Sequence, residues 1–138
     1  MRKSIELSIT YDYPIADVWA AMTTAEAMSE WLMPCDFQPK LGHQFQFRTK
    51  PAPGFDGIIN CEVLEIDEPH RLTFSWSGGS LENTRVSFEL TAKGDKTRLD
   101  FVHSGFEGLM NRLIVRNILG NGWKHRILVK FLPQFLSK

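Results

Sequence analysis

Apolar and polar residues alternate along most of the first hundred residues, which predicts a series of β-strands. In the first such segment, Lys3 to Tyr11, Ile5, Leu7 and Ile9 share one face. The pattern returns in five later segments: Gln44 to Thr49, Ile58 to Ile66, Arg71 to Trp76, Arg85 to Leu90 and Thr97 to His103. Because short turns join the strands from the second onward, we expect them to form an antiparallel sheet.

Two short helices are predicted between the first and second strands. Pro14 stands where a helix begins easily, since its φ is already set, and Val18, Trp19, Ala21 and Met22 give that helix an apolar side. Thr23 to Glu26 has the spacing of a capping box, which predicts a second helix ending near Trp31.

The last stretch, Gly108 to Leu136, follows a helical period instead. Its apolar stripe consists of Leu109, Met110, Leu113, Ile114, Ile127, Leu128, Phe131, Leu132 and Phe135. The inward positions between the two halves of that stripe are polar: Asn117, Asn121, Lys124 and His125. Either one continuous helix presents a polar middle to water, a ligand or a partner, or the helix breaks between Gly120 and Gly122.

A break is favoured because each glycine costs about 1 kcal/mol in a helix interior. A continuous helix would also be about 43 Å long, against a radius of gyration of about 14 Å for a chain of this size. We further expect Pro133 to kink or thin the final turn, since it offers no N–H.

The bulk composition narrows the class of protein. The length predicts a single domain spanning residues 1–138. Sixteen basic and sixteen acidic residues cancel, so nothing in the charge favours nucleic acid as a partner. No apolar run approaches the roughly 20 residues of a transmembrane helix, and the N-terminus does not have the pattern of a signal peptide. With only Cys35 and Cys61, a reduced, cytoplasmic location is predicted.

Together these elements predict an α+β fold. One strand, two short helices, five antiparallel strands and a long C-terminal helical segment would form a sheet of about six strands. Such a sheet twists strongly, so it curves around a helix laid across its concave face. Ligand cavities tend to form where the helix stands off the sheet.

Six sequence pieces, in order, resemble a known family. They are Pro14 to Met22 followed by Trp31; Leu41-Gly42 before a Phe-rich strand; Glu62 to Glu65 with Pro69 to Trp76; Thr97 to Leu99; His103 to Phe106; and Gly122-Trp123. The chain is similar to the activator-of-heat-shock-protein-90-ATPase-like branch of the START-like (SRPBCC) superfamily. The resemblance implies a helix-grip fold with a hydrophobic cavity. It leaves function open, because members include lipid carriers, cyclases, stress-response proteins and a co-chaperone.

We therefore predict a small hydrophobic ligand bound or carried between the sheet and the C-terminal helix. The predicted cavity residues are Trp31, Phe47, Trp76, Phe101, His103, Trp123 and Ile127. Lys124 is a further candidate for orienting the ligand. The alternatives are a co-chaperone-like interaction module and a cyclase- or aromatase-like enzyme that uses the cavity.

His103 is the strongest polar candidate, because alternation places it on the face of Leu99 and Phe101. It would bond a ligand or transfer a proton, or it would be a half-exposed histidine at a strand end that bonds backbone. The tryptophans would line a pocket or simply fill the core. No catalytic residue is assigned, and we predict binding rather than catalysis.

No metal or cofactor is predicted. Cys35, Cys61, His43, His70, His103 and His125 show no spacing typical of a metal site. The basic residues Arg112, Arg116, Lys124, Arg126 and Lys130 suggest a solvated helix face. The apolar residues interleaved with them, Val115, Ile118 and Leu119, raise the alternative of a subunit contact in a homodimer.

Overall fold

The computed structural model describes residues 4–79, 81–106 and 122–138. The strands are β1 (Ser4–Tyr11), β2 (Gln44–Arg48), β3 (Ile58–Asp67), β4 (Arg71–Gly78), β5 (Leu81–Lys93) and β6 (Lys96–Ser104). Two helices, α1 (Ile15–Met22) and α2 (Ala25–Trp31), follow β1, and α3 (Gly122–Phe131) and α4 (Leu132–Leu136) close the chain. The predicted α+β order is confirmed, although β5 extends beyond its predicted segment at both ends.

The six strands form one antiparallel sheet in the order β1-β6-β5-β4-β3-β2. The meander from β2 to β6 follows chain order, as the short turns predict. The two helices α1 and α2 carry the chain from β1 at one edge to β2 at the other. Strand β6 is thereby enclosed between β1 and β5, with His103 paired to Ile5 on one side and to Val86 on the other.

The cap of α2 differs from the prediction. The hydroxyl of Thr24, not of Thr23, accepts the hydrogen bond from the Ala27 backbone N–H at 3.3 Å. Thr23 terminates α1 instead, and its hydroxyl donates to the Trp19 carbonyl at 2.7 Å. The predicted capping box is wrong by one residue because α1 and α2 follow each other directly, so the first threonine serves the end of the earlier helix.

The C-terminal segment is helical, but it is not wound as an ordinary α-helix throughout. Helix α3 is a π-helix, in which each N–H bonds the carbonyl five residues earlier, and α4 then continues as an α-helix with Pro133 in its first turn. Trp123 and Leu128, five residues apart, are both buried, whereas Phe131 is 39% exposed. The prediction that Phe131 belongs to the inner stripe is therefore wrong, because it assumed α-helical phase. The predicted break at Gly120 to Gly122 falls largely outside the described residues.

The core lies between the concave face of the sheet and the helices. Its largest fully buried side chains include Trp31, Phe47, Phe88, Trp123 and Leu128. The Tyr11 hydroxyl donates to the Leu128 carbonyl of α3 at 2.7 Å, which joins the first strand to the C-terminal helix. Helix α4 packs on both α1 and α2. The sheet thus holds α3 on its inner face, as a helix-grip fold requires.

Candidate ligand site on the inner face of the sheet

Five aromatic side chains from strands β2, β4, β5 and β6 form a continuous surface on the inner face of the sheet, here called the aromatic wall. Its members are Phe47, Phe74, Trp76, Phe88 and Phe101. Neighbouring rings lie 5.2–6.0 Å apart between centroids, the range of favourable edge-to-face and tilted contacts. The wall follows directly from alternation, since every second residue of a strand points to the same face.

Trp123 covers this wall from the opposite side. Its ring centroid lies 4.6 Å from that of Phe101, 5.6 Å from that of Trp76 and 6.4 Å from that of Phe88. It is the second residue of α3, so the start of the C-terminal helix delivers the indole to the sheet. The indole therefore occupies the place in which the sequence predicts a ligand cavity.

A chain of three hydrogen bonds runs through the centre of this aromatic surface. The Trp123 indole N–H donates to Nδ1 of His103 at 3.2 Å. Nε2 of His103 lies 2.9 Å from Oγ1 of Thr84, and that hydroxyl donates to the Trp76 carbonyl at 2.7 Å. His103 has no exposed surface and Thr84 is 1% exposed. We refer to Trp123, His103 and Thr84 as the polar triplet.

The bonding pattern specifies the tautomer of His103. An indole N–H can only donate, so Nδ1 must carry a lone pair and accept. The proton of the neutral ring then sits on Nε2 and is donated to Thr84, whose own proton is directed to the Trp76 carbonyl. Every polar atom of the triplet is thereby satisfied only when the imidazole is neutral.

Burial enforces the same protonation state. The pKa of His103 is lowered from 6.5 to about 3, because the charged imidazolium would lose its hydration inside the aromatic surface. The ring is also surrounded by aromatic neighbours, with the centroids of Phe106 at 4.7 Å and Trp76 at 5.3 Å. The interpretation of His103 as a half-exposed histidine bonded to backbone is wrong, since it is wholly buried and bonded to side chains. Its predicted role toward a ligand stays a prediction.

The structure brings together five of the seven predicted cavity residues: Phe47, Trp76, Phe101, His103 and Trp123. Trp31 is equally buried, but its indole N–H donates to the Ala21 carbonyl at 2.8 Å and so belongs to the α1–α2 framework. Ile127 is half-buried at the edge of the core. Lys124 is exposed, and its role in orienting a ligand stays a prediction.

Thr84 lies outside the strand that the sequence predicts, which begins at Arg85, so the sequence does not identify it as a site residue. It nevertheless continues the inward alternation of Val86, Phe88 and Leu90 back by one step. In the sheet it pairs with Trp76, two positions along the strand from Val86, which pairs with His103. This diagonal relation brings the hydroxyl to the imidazole. Extending the alternation by one residue would have found it.

A second feature lies on the opposite face of the sheet. An open groove of about 480 Å³ is lined mainly by polar residues of β2, β3 and β4 and their surroundings: Asp36, Gln44, Gln46, Asn60, Glu62, Ser75, Ser77 and Asn83. Several of these groups bond one another, as in the 2.8 Å contact between the Gln46 and Asn60 amides. This groove is not the predicted hydrophobic cavity, which stays a prediction.

Comparison with solved structures shows which fold this is. A protein from Mesorhizobium loti is 25% identical and superposes with a TM-score of 0.84, over 97% of this chain and 96% of its own. A protein of the dynemicin biosynthetic locus is 22% identical, with a TM-score of 0.81, over 100% of this chain and 48% of its own. An Hsp90 activator from Plasmodium falciparum is 22% identical, with a TM-score of 0.70, over 92% of this chain and 91% of its own.

A comparison with curated proteins finds no match. None of the helices that the structure describes has the length and apolar character needed to cross a bilayer. The family model of Activator of Hsp90 ATPase homolog 1-like proteins matches residues 12–130, which comprise most of the sheet and of α3. The fold and this match together confirm the resemblance seen in the sequence, and the chain belongs to that family.

Proposed function

We propose that this protein binds or carries a small hydrophobic ligand between the aromatic wall and the C-terminal helix, in a cytoplasmic setting. The proposal rests on the predicted cavity residues and on the family, in which the fold is used for ligand binding in general. A related fold in the dynemicin biosynthetic locus is compatible with such a role.

The observation that carries the proposal is the polar triplet buried inside the aromatic surface. Packing alone would be served best by apolar side chains, because a buried histidine must lose its hydration and find hydrogen-bond partners. Here His103 is fully buried, yet it lies at the junction of the wall and α3, where one of its two bonds is made by the residue that covers the wall. A site that binds an apolar ligand also needs a few polar groups to orient it.

Trp123 defines how a ligand would enter. Its ring lies directly on Phe101 and Trp76, so a ligand occupies the same surface by displacing the indole or by sharing the wall with it. Apolar contact contributes about 25 cal/mol for each Å² removed from water, before the cost of ordering the ligand. A ligand covering the wall regains the apolar contact that the displaced indole gives up.

Proton transfer is the less favoured use of the same site. A general base works best when its pKa is near the working pH, and the pKa of His103 lies at about 3. Its Nδ1 therefore functions as a hydrogen-bond acceptor at neutral pH. This supports binding over a cyclase- or aromatase-like activity.

A protein-interaction role is the second candidate. Val129 and Phe131 on α3 are 53% and 39% exposed, and they lie among the exposed basic residues Lys124, Arg126 and Lys130. A partner or a second copy of the chain would cover them. Ligand binding is preferred because these two side chains are only a small apolar surface, and scattered exposed apolar residues are common.

Native mass spectrometry tests the proposal. The purified protein is measured before and after extraction with organic solvent, and we expect an additional mass that disappears on extraction. The Trp123→Phe variant should change the amount of retained ligand. Trp31→Phe makes the same chemical change in an equally buried indole outside the wall, and it should retain ligand like the natural chain.

A clean apo mass at every collision energy, in a sample that also fails to bind added apolar probes, contradicts the proposal. If a dimer is present in that sample, the exposed face of α3 becomes the better candidate. In that case Phe131→Ser should dissociate the dimer, whereas Trp123→Phe should not.

A further inference from the structure

The polar triplet limits the chemistry of any ligand that reaches it. Building on the proposed ligand site, we infer that the ligand presents a neutral hydrogen-bond donor, a hydroxyl or an N–H, to Nδ1 of His103 in place of the Trp123 indole. The ligand class is thus an apolar molecule with a hydroxyl or N–H at its buried end.

The first step concerns the atom that a displaced indole leaves behind. In the covered state Nδ1 of His103 accepts from the Trp123 N–H. When the indole moves away, this in-plane lone pair is exposed to the ligand. A buried acceptor without a donor is destabilising, so a ligand that supplies a donor is favoured over one that does not.

The second step concerns why His103 cannot adapt to a ligand of opposite polarity. To donate from Nδ1, the ring would have to move its proton from Nε2. Nε2 would then need a donor from Thr84, whose hydroxyl proton is already directed to the Trp76 carbonyl at 2.7 Å. Turning that hydroxyl leaves a buried carbonyl without its bond. Thr84 and the Trp76 backbone therefore hold Nδ1 as an acceptor.

The third step excludes ligands that present a charged group or a hydrogen-bond acceptor at this position. A carboxylate or a carbonyl oxygen would face the lone pair of Nδ1 without an intervening proton. A protonated amine can donate, but an ammonium group in the aromatic surface loses its hydration without a compensating charge nearby. Among the described residues, the groups around the imidazole are Trp76, Thr84, Phe106 and Trp123, all uncharged. A neutral hydroxyl or N–H fits these surroundings.

The geometry also indicates that a ligand can compete with the indole. The Trp123 to His103 bond is 3.2 Å long. Hydroxyl donors generally approach an acceptor more closely than N–H donors do. Because the indole nitrogen is tied to the position of α3, a free ligand can optimise this bond better than Trp123 does.

The experiment compares two matched probes, 2-naphthol and 2-methoxynaphthalene, by isothermal titration calorimetry. They share the apolar ring system, but only naphthol donates a hydrogen bond. We expect naphthol to bind the natural chain at least about tenfold more tightly, which corresponds to one hydrogen bond of about 1.4 kcal/mol.

Three variants locate the effect. Trp123→Phe removes the competing donor while it keeps a ring on the wall, so the affinities for both probes should rise several-fold, because neither has to break the bond from Trp123 to His103. The preference for naphthol should remain. Trp31→Phe is the matched control and should change neither. His103→Leu should abolish the preference while the ether still binds. Thr84→Val frees the tautomer and should reduce the preference to within about threefold.

The outcomes distinguish failure of the inference about the donor from failure of the proposed function. Equal affinities of the two probes in the natural chain overturn the inference about the donor but leave ligand binding intact. A weaker naphthol affinity in Trp123→Phe, matched by an equal loss for the ether, shows that Trp123 only packs against the ligand. This result also overturns the inference about the donor. If neither probe binds and native mass spectrometry shows no ligand, the proposed function itself fails.

Discussion

Two tryptophans, Trp31 and Trp123, are buried to the same degree but satisfy their indole N–H groups differently. Both are 1% exposed. Trp31 donates to a backbone carbonyl, that of Ala21, ten residues earlier within the α1–α2 framework. Trp123 donates to a side chain, His103, on a strand at the far side of the core.

The difference separates a structural contact from an exchangeable one. A carbonyl at the end of α1 is a permanent acceptor, and Trp31 satisfies it without needing any other side chain. The Trp123 bond depends on the tautomer of His103, which depends in turn on Thr84. We therefore expect that another donor can replace Trp123 at His103 and that this contact responds to pH. We expect neither of the contact between Trp31 and the Ala21 carbonyl. The predictions below test this contrast.

The largest effect is expected from Trp31→Ala. Removing this buried ring leaves a cavity and an unbonded Ala21 carbonyl, so the free energy of unfolding should fall by about 3–5 kcal/mol in urea denaturation. Ligand binding by the folded fraction should be unchanged. A variant that keeps its stability would mean that Trp31 does not hold α1 and α2 together.

Of the two indole contacts, only that of Trp123 should respond to acid. The unfolded chain binds a proton at His103 near its ordinary pKa of 6.5, but the folded chain only near pH 3. The contribution of His103 to the free energy of unfolding is therefore fully present above pH 6.5. It declines as the pH falls below 6.5, by about 1.4 kcal/mol for each pH unit. Across two units the loss approaches about 3 kcal/mol.

The measurement is the free energy of unfolding between pH 7 and pH 4.5, relative to His103→Gln. Glutamine places an amide oxygen and N–H near the two ring nitrogens but does not titrate, so the carboxylates of the chain contribute equally to both proteins. Trp31→Phe should keep the full slope. Parallel pH curves for the natural chain and His103→Gln would show that the folded imidazole is not held neutral.

A double-mutant cycle measures the Trp123–His103 bond directly. His103→Leu and Trp123→Phe should each lower stability, and the double variant should lose less than their sum, with a coupling of about 1–2 kcal/mol. The control cycle pairs His103→Leu with Trp31→Phe, and those two effects should add. If the effects in the first cycle also add, the Trp123–His103 bond makes no net contribution to stability.

The smallest effect is expected from the single Trp→Phe substitutions. Each keeps an aromatic ring and removes one N–H, at a cost of about 1 kcal/mol in stability. The two should differ in ligand binding more than in stability, since only Trp123→Phe exposes an acceptor on the wall. Similar naphthol affinities in both variants would contradict the contrast drawn between the two tryptophans.

Most of the sheet could be predicted from alternation, because a strand that is half buried repeats its apolar residues every second position. The meander and its antiparallel pairing follow from the short turns between β2 and β6. The pairing of β1 with β6 does not, since it joins residues far apart in the chain, such as Tyr11 and Thr97.

The phase of the C-terminal helix could not be predicted either. A wheel at 100° per residue places Phe131 on the inner stripe, but π-helical winding turns it outward while Trp123 and Leu128 stay buried. The same wheel also places Ile127 and Lys124 inward, whereas Ile127 is half-buried and Lys124 is exposed. A helix can change its winding under tertiary contacts such as the Tyr11 bond to the Leu128 carbonyl.

The sequence by itself determined the succession of strands and helices, the family resemblance and five of the side chains that meet on the inner face. Only the tertiary structure decided how those side chains bond. His103 lies 19 residues from Thr84 and 20 from Trp123, so their contacts depend on strand register and helix position, which no local period encodes. The protonation state of His103 follows from those contacts and from burial, and it gives the inner face its chemistry.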